Sequence, residues 1–271
     1  MRKSSWVLAA WLGAAAITLI IAPGAASAQE AAAAKPEKFR LDIMGGLKGG
    51  LNGSWMTEVP QNPSGAGNDG QTKSYYPSFG LGGTVGLALD VRALGIVGLE
   101  TGVHLSFDNA KGWNDINLNG VELTRINQEQ STTSMRVPLL VKLSSPDGTV
   151  KPVLGLGFEF VFQSDTTIDY TEEPKAGRLG DGELDRLNAR NEIEASSYTL
   201  GVLSLGLEID FGNLRMPIEL RAMYNLGYGD GFEERVRVEG AGSETKYYYN
   251  GAYQGHFGLF LGLVYDYELW L

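Results

Sequence analysis

The chain has 271 residues, with 32 Asp and Glu against 22 Lys and Arg, a formal charge of −10 and no cysteine. An acidic chain has no basic stripe to neutralise phosphates and gives no support to a nucleic-acid partner. Without cysteine there are no disulfides, thiolate metal sites or lipidated cysteine. Mean hydropathy is only −0.11; this rules against a helical membrane protein but not a barrel, whose strands hide half their residues from lipid.

Residues 1–28 read as a signal peptide. Arg2 and Lys3 supply the positive start, Trp6 to Ala22 an apolar run, Pro23-Gly24 a break and Ala26-Ser27-Ala28 a small-residue cleavage site. Residues 29–37 form a short periplasmic lead, and 38–271 the main domain. The first strand sets Phe39, Leu41, Ile43, Leu47 and Leu51 against Arg40, Asp42, Met44, Lys48 and Asn52. Residues 54–76, rich in Asn, Gly, Pro and Ser, read as a loop. Strand two sets Phe79, Leu81, Val85, Leu87, Leu89 and Val91 against Gly80, Gly82, Thr84, Gly86 and Asp90. After the short link 92–95, strand three sets Val97, Leu99, Val103, Leu105 and Phe107 against Gly98, Glu100, Gly102, His104 and Ser106.

A second polar loop is expected over 109–129. Strand four sets Met135, Val137, Leu139, Val141 and Leu143 against Ser134, Arg136, Pro138 and Lys142. A tight turn at Ser145-Pro146-Asp147-Gly148 leads to strand five, with Leu154, Leu156, Phe158, Phe160 and Phe162 against Val153, Gly155, Gly157, Glu159 and Gln163. The charged stretch 165–195 reads as the longest loop. Strand six sets Leu203, Leu205, Leu207, Ile209 and Phe211 against Ser204, Gly206, Glu208 and Asp210; strand seven sets Leu214, Met216, Ile218, Leu220, Tyr224, Leu226 and Tyr228 against Arg215, Pro217, Glu219, Arg221, Met223 and Asn225. A fourth loop covers 229–250. The last strand alternates without a break, Phe257, Leu259, Leu261, Leu263, Tyr265, Tyr267, Leu269 and Leu271 against His256, Gly258, Phe260, Gly262, Val264, Asp266, Glu268 and Trp270.

Period two puts each set on one face of a strand. Connections run long, short, long, short, long, short, long, the asymmetry of a barrel with short periplasmic turns and long outer loops. The expectation is an all-β chain forming an eight-stranded antiparallel up-and-down transmembrane β-barrel in the outer membrane of a Gram-negative bacterium. Arg136-Val137-Pro138-Leu139 and Arg215-Met216-Pro217-Ile218 echo one another, and each inward proline is expected at a bulge. Phe39, Phe211, Tyr265, Tyr267 and Trp270 would mark the periplasmic rim, and Phe79, Phe107, Phe162, Tyr228 and Phe257 the outer rim.

Inward parity collects the strand charges, which hydrocarbon would not accept. Eight strands enclose only enough room for side chains, so these charges must pair. The expected interior network is Arg40, Asp42, Lys48, Glu100, Arg136, Glu159, Glu219 and Arg221, with Arg136, Arg221 and Lys48 pairing Glu100, Glu159 and Glu219 near mid-height. A histidine beside interior carboxylates reads as a core group. Ser106 follows His104 in parity, but no third residue completes a catalytic set. Asp181-Gly182-Glu183-Leu184-Asp185 has oxygen ligands without EF-hand spacing. Tyr247-Tyr248-Tyr249 suits a girdle or an outer surface.

Arg136-Val137-Pro138-Leu139-Leu140-Val141-Lys142, followed after a short turn by Lys151-Pro152-Val153-Leu154-Gly155-Leu156-Gly157, resembles the centre of the PorT-like outer membrane protein beta-barrel domain family. Gly45-Gly46-Leu47-Lys48-Gly49-Gly50-Leu51-Asn52 resembles its first strand. The resemblance implies a small porin-like outer-membrane barrel and no catalytic residues. The expected role is structural or surface interaction through the long loops, in a monomer without catalysis, cofactor or metal. A narrow passive channel and a lipid-modifying enzyme are the alternatives. Expected partners are outer-membrane lipid and lipopolysaccharide, the barrel-assembly machinery at the C-terminal strand and an extracellular partner at the loops.

Overall fold

Alternation lets an extended chain turn one chemistry to each side, and it builds strands throughout. The computed structural model describes residues 39–56, 71–75, 78–118, 121–177, 191–228, 236–239 and 246–271. The expected signal and lead lie outside them. The strands are β1 (Arg40–Met56), β2 (Gln71–Tyr75), β3 (Ser78–Ala93), β4 (Val97–Leu118), β5 (Val121–Ser144), β6 (Val150–Pro174), β7 (Asn191–Glu194), β8 (Ser197–Asp210), β9 (Leu214–Asn225), β10 (Val236–Glu239), β11 (Lys246–Asn250) and β12 (Gly255–Trp270).

Eight of these pair antiparallel in the order β4-β3-β1-β12-β9-β8-β6-β5, and β4 pairs β5 again, so the sheet closes into a ring. First and last strands meet in register, Arg40 opposite Trp270 and Trp55 opposite Gly255. Closure gives each ring strand a neighbour on both sides, while the part of β6 beyond Phe162 has β5 alone as a strand partner among the described residues. Small residues permit close approach: a Cβ on Gly46 or Gly50 would collide with the β12 backbone at Leu263 or Leu259. Between β3 and β4, Leu94 and Gly95 both take positive φ, 56° and 69°. Ile96 N–H donates to Ala93 O at 3.0 Å across them, closing a tight turn whose hand suits the right-handed twist of the flanking strands.

The ring is inside-out. Leu51 is 69% exposed while Asn52 beside it is wholly buried. The outward belt of Leu, Val and Phe runs around all eight ring strands. At one end Phe39, Phe211, Tyr265, Tyr267 and Trp270 are exposed, and at the other Phe79, Phe107, Phe162 and Phe257. Phe257 lies over the bare backbone of Gly53 and stacks between Trp55 and Phe79, at ring separations of 6.0 and 5.8 Å. Tyr228, expected on the outer rim, is instead buried (6% exposed), because the turn at 226–228 ends the alternation before it.

Several expectations are corrected by pairing. The stretch 109–129 is mostly ladder, since β4 runs to Leu118 and β5 starts at Val121; β6 likewise continues to Pro174 inside the expected loop 165–195. Polar residues can alternate and pair as well as apolar ones, so polarity marked a change of surroundings and not the end of the strand. Within 54–76, β1 continues to Met56 and β2 pairs β4; within 229–250, β10 pairs β11, which pairs β7 in parallel. Neither inward proline shifts the register. Pro138 and Pro217 lack the N–H for one ladder, and bridging lapses between Thr101↔Leu139 and His104↔Arg136, and between Leu261↔Ile218 and Val264↔Arg215, with register kept across each gap. The shifts fall at Thr133/Ser134 and Ile116/Asn117.

Candidate functional site

Inward side chains from strands far apart in sequence converge because the ring is narrow. Near mid-height Lys48 Nζ donates to Glu100 (2.9 Å) and Glu219 (2.7 Å). Lys142 donates to Glu219 at 2.5 Å and also pairs with Glu100. Arg221 reaches Glu100 at 2.5 Å, Glu219 at 2.7 Å and Glu159 at 3.8 Å. Glu159 continues to Arg136 (3.1 Å) and Arg136 to Asp108 (2.7 Å).

Toward the short turns, Arg92 joins Asp90 (2.6 Å) to Glu208, and Arg215 joins Asp266 to Asp42 (3.7 Å). Arg40 pairs Asp42 at 3.0 Å, and Lys151 pairs Asp210 at 2.9 Å. The upper set holds Lys48, Lys142, Arg136 and Arg221 against Glu100, Glu159, Glu219 and Asp108, four charges of each sign, all buried. It is self-neutral.

The structure therefore brings Lys48, Glu100, Glu219 and Arg221 into one cluster, links Arg136 and Glu159 to it through Arg221, and sets Arg40 and Asp42 apart near the turn-side rim. Sequence reasoning placed Lys142 inward without assigning it partners, took Arg92 for a link residue and stopped strand three before Asp108. Parity was the available signal: Arg92 follows Asp90, and Asp108 follows Ser106, at intervals of two.

Part of the interior is apolar. Leu140, Val161, Leu200, Val202, Met223 and Phe260 form a buried cluster, and the Arg221 guanidinium lies 4.8 Å from the Phe260 ring centre. A void among Lys48, Asp90, Glu100, Lys142 and Glu208 measures about 10 Å³, scarcely one water. At the end away from the short turns, residues 251–254 fold across the mouth. Gly251 O accepts from Gln130 (2.9 Å) and Gln163 (2.8 Å), Tyr253 O accepts from Asn225 (3.0 Å), and the Tyr253 hydroxyl donates to Thr132 (3.2 Å). Tyr253 is fully buried with its ring edge-on to His256 at 5.3 Å.

The two histidines differ in their surroundings. His104 bonds neither Ser106 nor any other group among the described residues. His256, beneath Tyr253, gathers Ser54 (Oγ to Nδ1, 2.9 Å), Asp108 (3.8 Å from Nδ1) and Tyr198 (hydroxyl to Nε2, 3.3 Å). In a serine relay the acid holds one imidazole nitrogen and the serine the other. Here Ser54 and Asp108 both meet Nδ1, and both side chains are sealed from solvent. The geometry is that of a hydrogen-bonded core. Among the described residues no group of three or more His, Asp or Glu is placed to hold a metal ion. Residues 181–185 lie outside the described residues, and Tyr247–Tyr249 belong to β11.

Beyond Phe107, Met135 and Phe162 the strands β4, β5 and β6 continue as a projecting sheet with a polar outward face. Lys111 Nζ sits 2.9 Å from Glu129, and Asn109 donates to the same carboxylate at 2.8 Å. Lys111 above all, with Asn109, holds that carboxyl below its usual pKa. Arg125 bonds Asp115 at 2.6 Å and lies 5.5 Å from the Trp113 ring centre.

No protein-family model and no curated protein sequence matches the chain. Among solved structures it is similar to the outer membrane protein OprG from Pseudomonas aeruginosa, at 14% identity over 87% of this chain and 98% of that one, with a TM-score of 0.28. It is also similar to the translocator domain of autotransporter NalP from Neisseria meningitidis, at 12% identity over 97% of each chain, with a TM-score of 0.26.

Proposed function

We propose that the chain is a closed β-barrel of a Gram-negative outer membrane whose function is exerted outside the bilayer by the projecting sheet and the long connections, not by passage or catalysis through its interior. One observation carries this reading: an unbroken apolar belt surrounds an interior packed with mutually neutralising ion pairs. In water such a belt is far larger than the apolar patches soluble proteins expose. In hydrocarbon it is the required surface, and a closed ring satisfies every backbone group. The short turns would then face the periplasm, and the resemblance of β5 and β6 to the PorT-like barrels agrees with this setting. The test is conductance of the full chain refolded into a planar bilayer, with folding confirmed by gel-mobility shift. A folded, silent barrel is expected. Steady conductance altered by Arg221→Ala would overturn the closed interior.

A narrow passive channel is the second reading. It draws on orphaned polar atoms along one wall, Asn52 Oδ1, both His104 ring nitrogens and Ser134 Oγ, which lack hydrogen-bond partners among the described residues. A file of waters would satisfy them. The same bilayer recording decides between the two.

A further inference from the structure

Where the belt ends, the outward face of the β4–β5–β6 sheet holds a groove of about 290 Å³. That is close to the lower end of ligand-sized clefts, about 300 Å³. Its outward lining is Phe107, Asn109, Ser131, Thr133, Asp165 and Thr167. A register irregularity creates it. Ser134 pairs Gln163 but Thr133 pairs Asp165, leaving Ser164 as the extra residue. Below this bulge the even-numbered Phe160 and Phe162 face outward; above it the odd-numbered Asp165 and Thr167 do, while Ile168 and Tyr170 are half-buried. Unshifted, β6 would turn Ile168 and Tyr170 outward and erase the groove's polar wall. Bulges of this kind re-aim side chains at barrel rims.

The chemistry of the lining is selective. No Lys or Arg contributes to it. The adjacent Lys111 is engaged by Glu129, and Asp165 makes no ion pair among the described residues. An unneutralised carboxylate repels phosphate, sulfate and carboxylate groups. The hydroxyls of Ser131, Thr133 and Thr167 offer donors and acceptors together, and Asn109, whose amide nitrogen already donates to Glu129 and Ser131, adds its carbonyl oxygen; the set suits a ligand whose own hydroxyls do both. Phe107, 55% exposed at the belt-side end, adds an apolar ring face.

We propose that this groove binds a neutral, hydroxyl-rich glycan. The inference extends the membrane reading above, which would put the groove level with lipid headgroups, so the glycan could be free in solution or carried by a membrane glycolipid. The test uses the full chain refolded in a non-sugar detergent, with folding checked by gel-mobility shift, and reads saturation-transfer NMR to maltotriose. In parallel, phosphatidylcholine nanodiscs containing either a neutral glucosyl-diacylglycerol or phosphatidylglycerol are assayed for lipid retained on the barrel. Transfer to the sugar ring protons, with affinity about tenfold weaker in Asp165→Ala/Thr167→Val, is the expected result. Retention of the glucosyl lipid alone, lost in the same variant, supports the proposal and assigns the source to the membrane. A folded barrel that takes up neither sugar, binds both equally well as the variant, or prefers phosphatidylglycerol overturns it. Maltotriose binding by folded chain that will not enter vesicles would sink the membrane reading and leave the groove standing.

Discussion

Strands β4, β5 and β6 each pass through two settings, and their lower and upper halves obey opposite rules. Below Phe107, Met135 and Phe162 the outward face is Leu, Val and Phe and the inward face carries Glu100, Arg136, Lys142 and Glu159. Above, the outward face is Asn109, Lys111, Glu129, Asp165 and Thr167, while the buried side mixes Ala110 and Ile126 with Thr124, Gln128, Gln130 and Thr132. The backbone ladder between β4 and β5 runs on from Leu143 to Val121 across this boundary. Alternation thus specifies a strand, and the chemistry of each face specifies what surrounds it. The lower half turns apolar side chains outward and encloses its charges. The upper half carries polar side chains on both faces.

That contrast can be broken in three ways. The largest effect should come from Glu219→Gln, which leaves Lys48, Lys142 and Arg221 sharing fewer carboxylates in a closed space. Breaking a buried network of this kind costs ~3–5 kcal/mol, and urea unfolding of the refolded barrel should show it. Glu129→Gln in the upper sheet should cost far less, because its pair with Lys111 is solvated. Equal losses would mean that the two halves share one environment.

The next effect tests the outer face. Leu261, 52% exposed on β12, sits on the belt, and Leu261→Arg should destabilise the barrel in phospholipid vesicles by ~2–4 kcal/mol. Thr167→Arg, beyond the belt, should stay within about 0.5 kcal/mol. A tolerated Leu261→Arg would argue that the belt faces water.

The smallest effect concerns pH. Lys111 first, then Asn109, depresses the Glu129 pKa. A folded-state pKa below the unfolded value gives stabilisation that is present above the unfolded pKa and lost as pH falls through the folded one. Lys111→Ala should therefore move the Glu129 titration back up toward the ordinary carboxylate range in a carboxyl-detected NMR titration, with no change in the mid-barrel cluster. A shift in both would mean that the upper sheet and the interior are coupled.

Legibility in the sequence followed range. Period two is a local property, so the partition into Leu47 and Leu51 outside, Lys48 and Asn52 inside, could be read residue by residue. The extensions of β4, β5 and β6 escaped that reading because Asn, Gln, Thr and Asp are also loop formers. Only pairing across the sheet separates an exposed polar strand from a loop. The bulge at Thr133/Ser134 was hidden for a similar reason. Prolines advertise a lost hydrogen bond, whereas a bulge between Thr and Ser leaves no compositional mark.

The sequence by itself determined that this chain alternates, which face of each ring strand is charged, and that the charges must be enclosed. Tertiary structure decided which charges meet. Lys48 and Glu219 stand 171 residues apart, and their 2.7 Å contact depends on the stagger with which the ring closes. It also decided that residues 251–254 fold in against β5, β6 and β9, with Tyr253 buried. Alternation follows from the geometry of a single strand, but strand tilt and stagger are properties of the closed ring, and no single segment carries them.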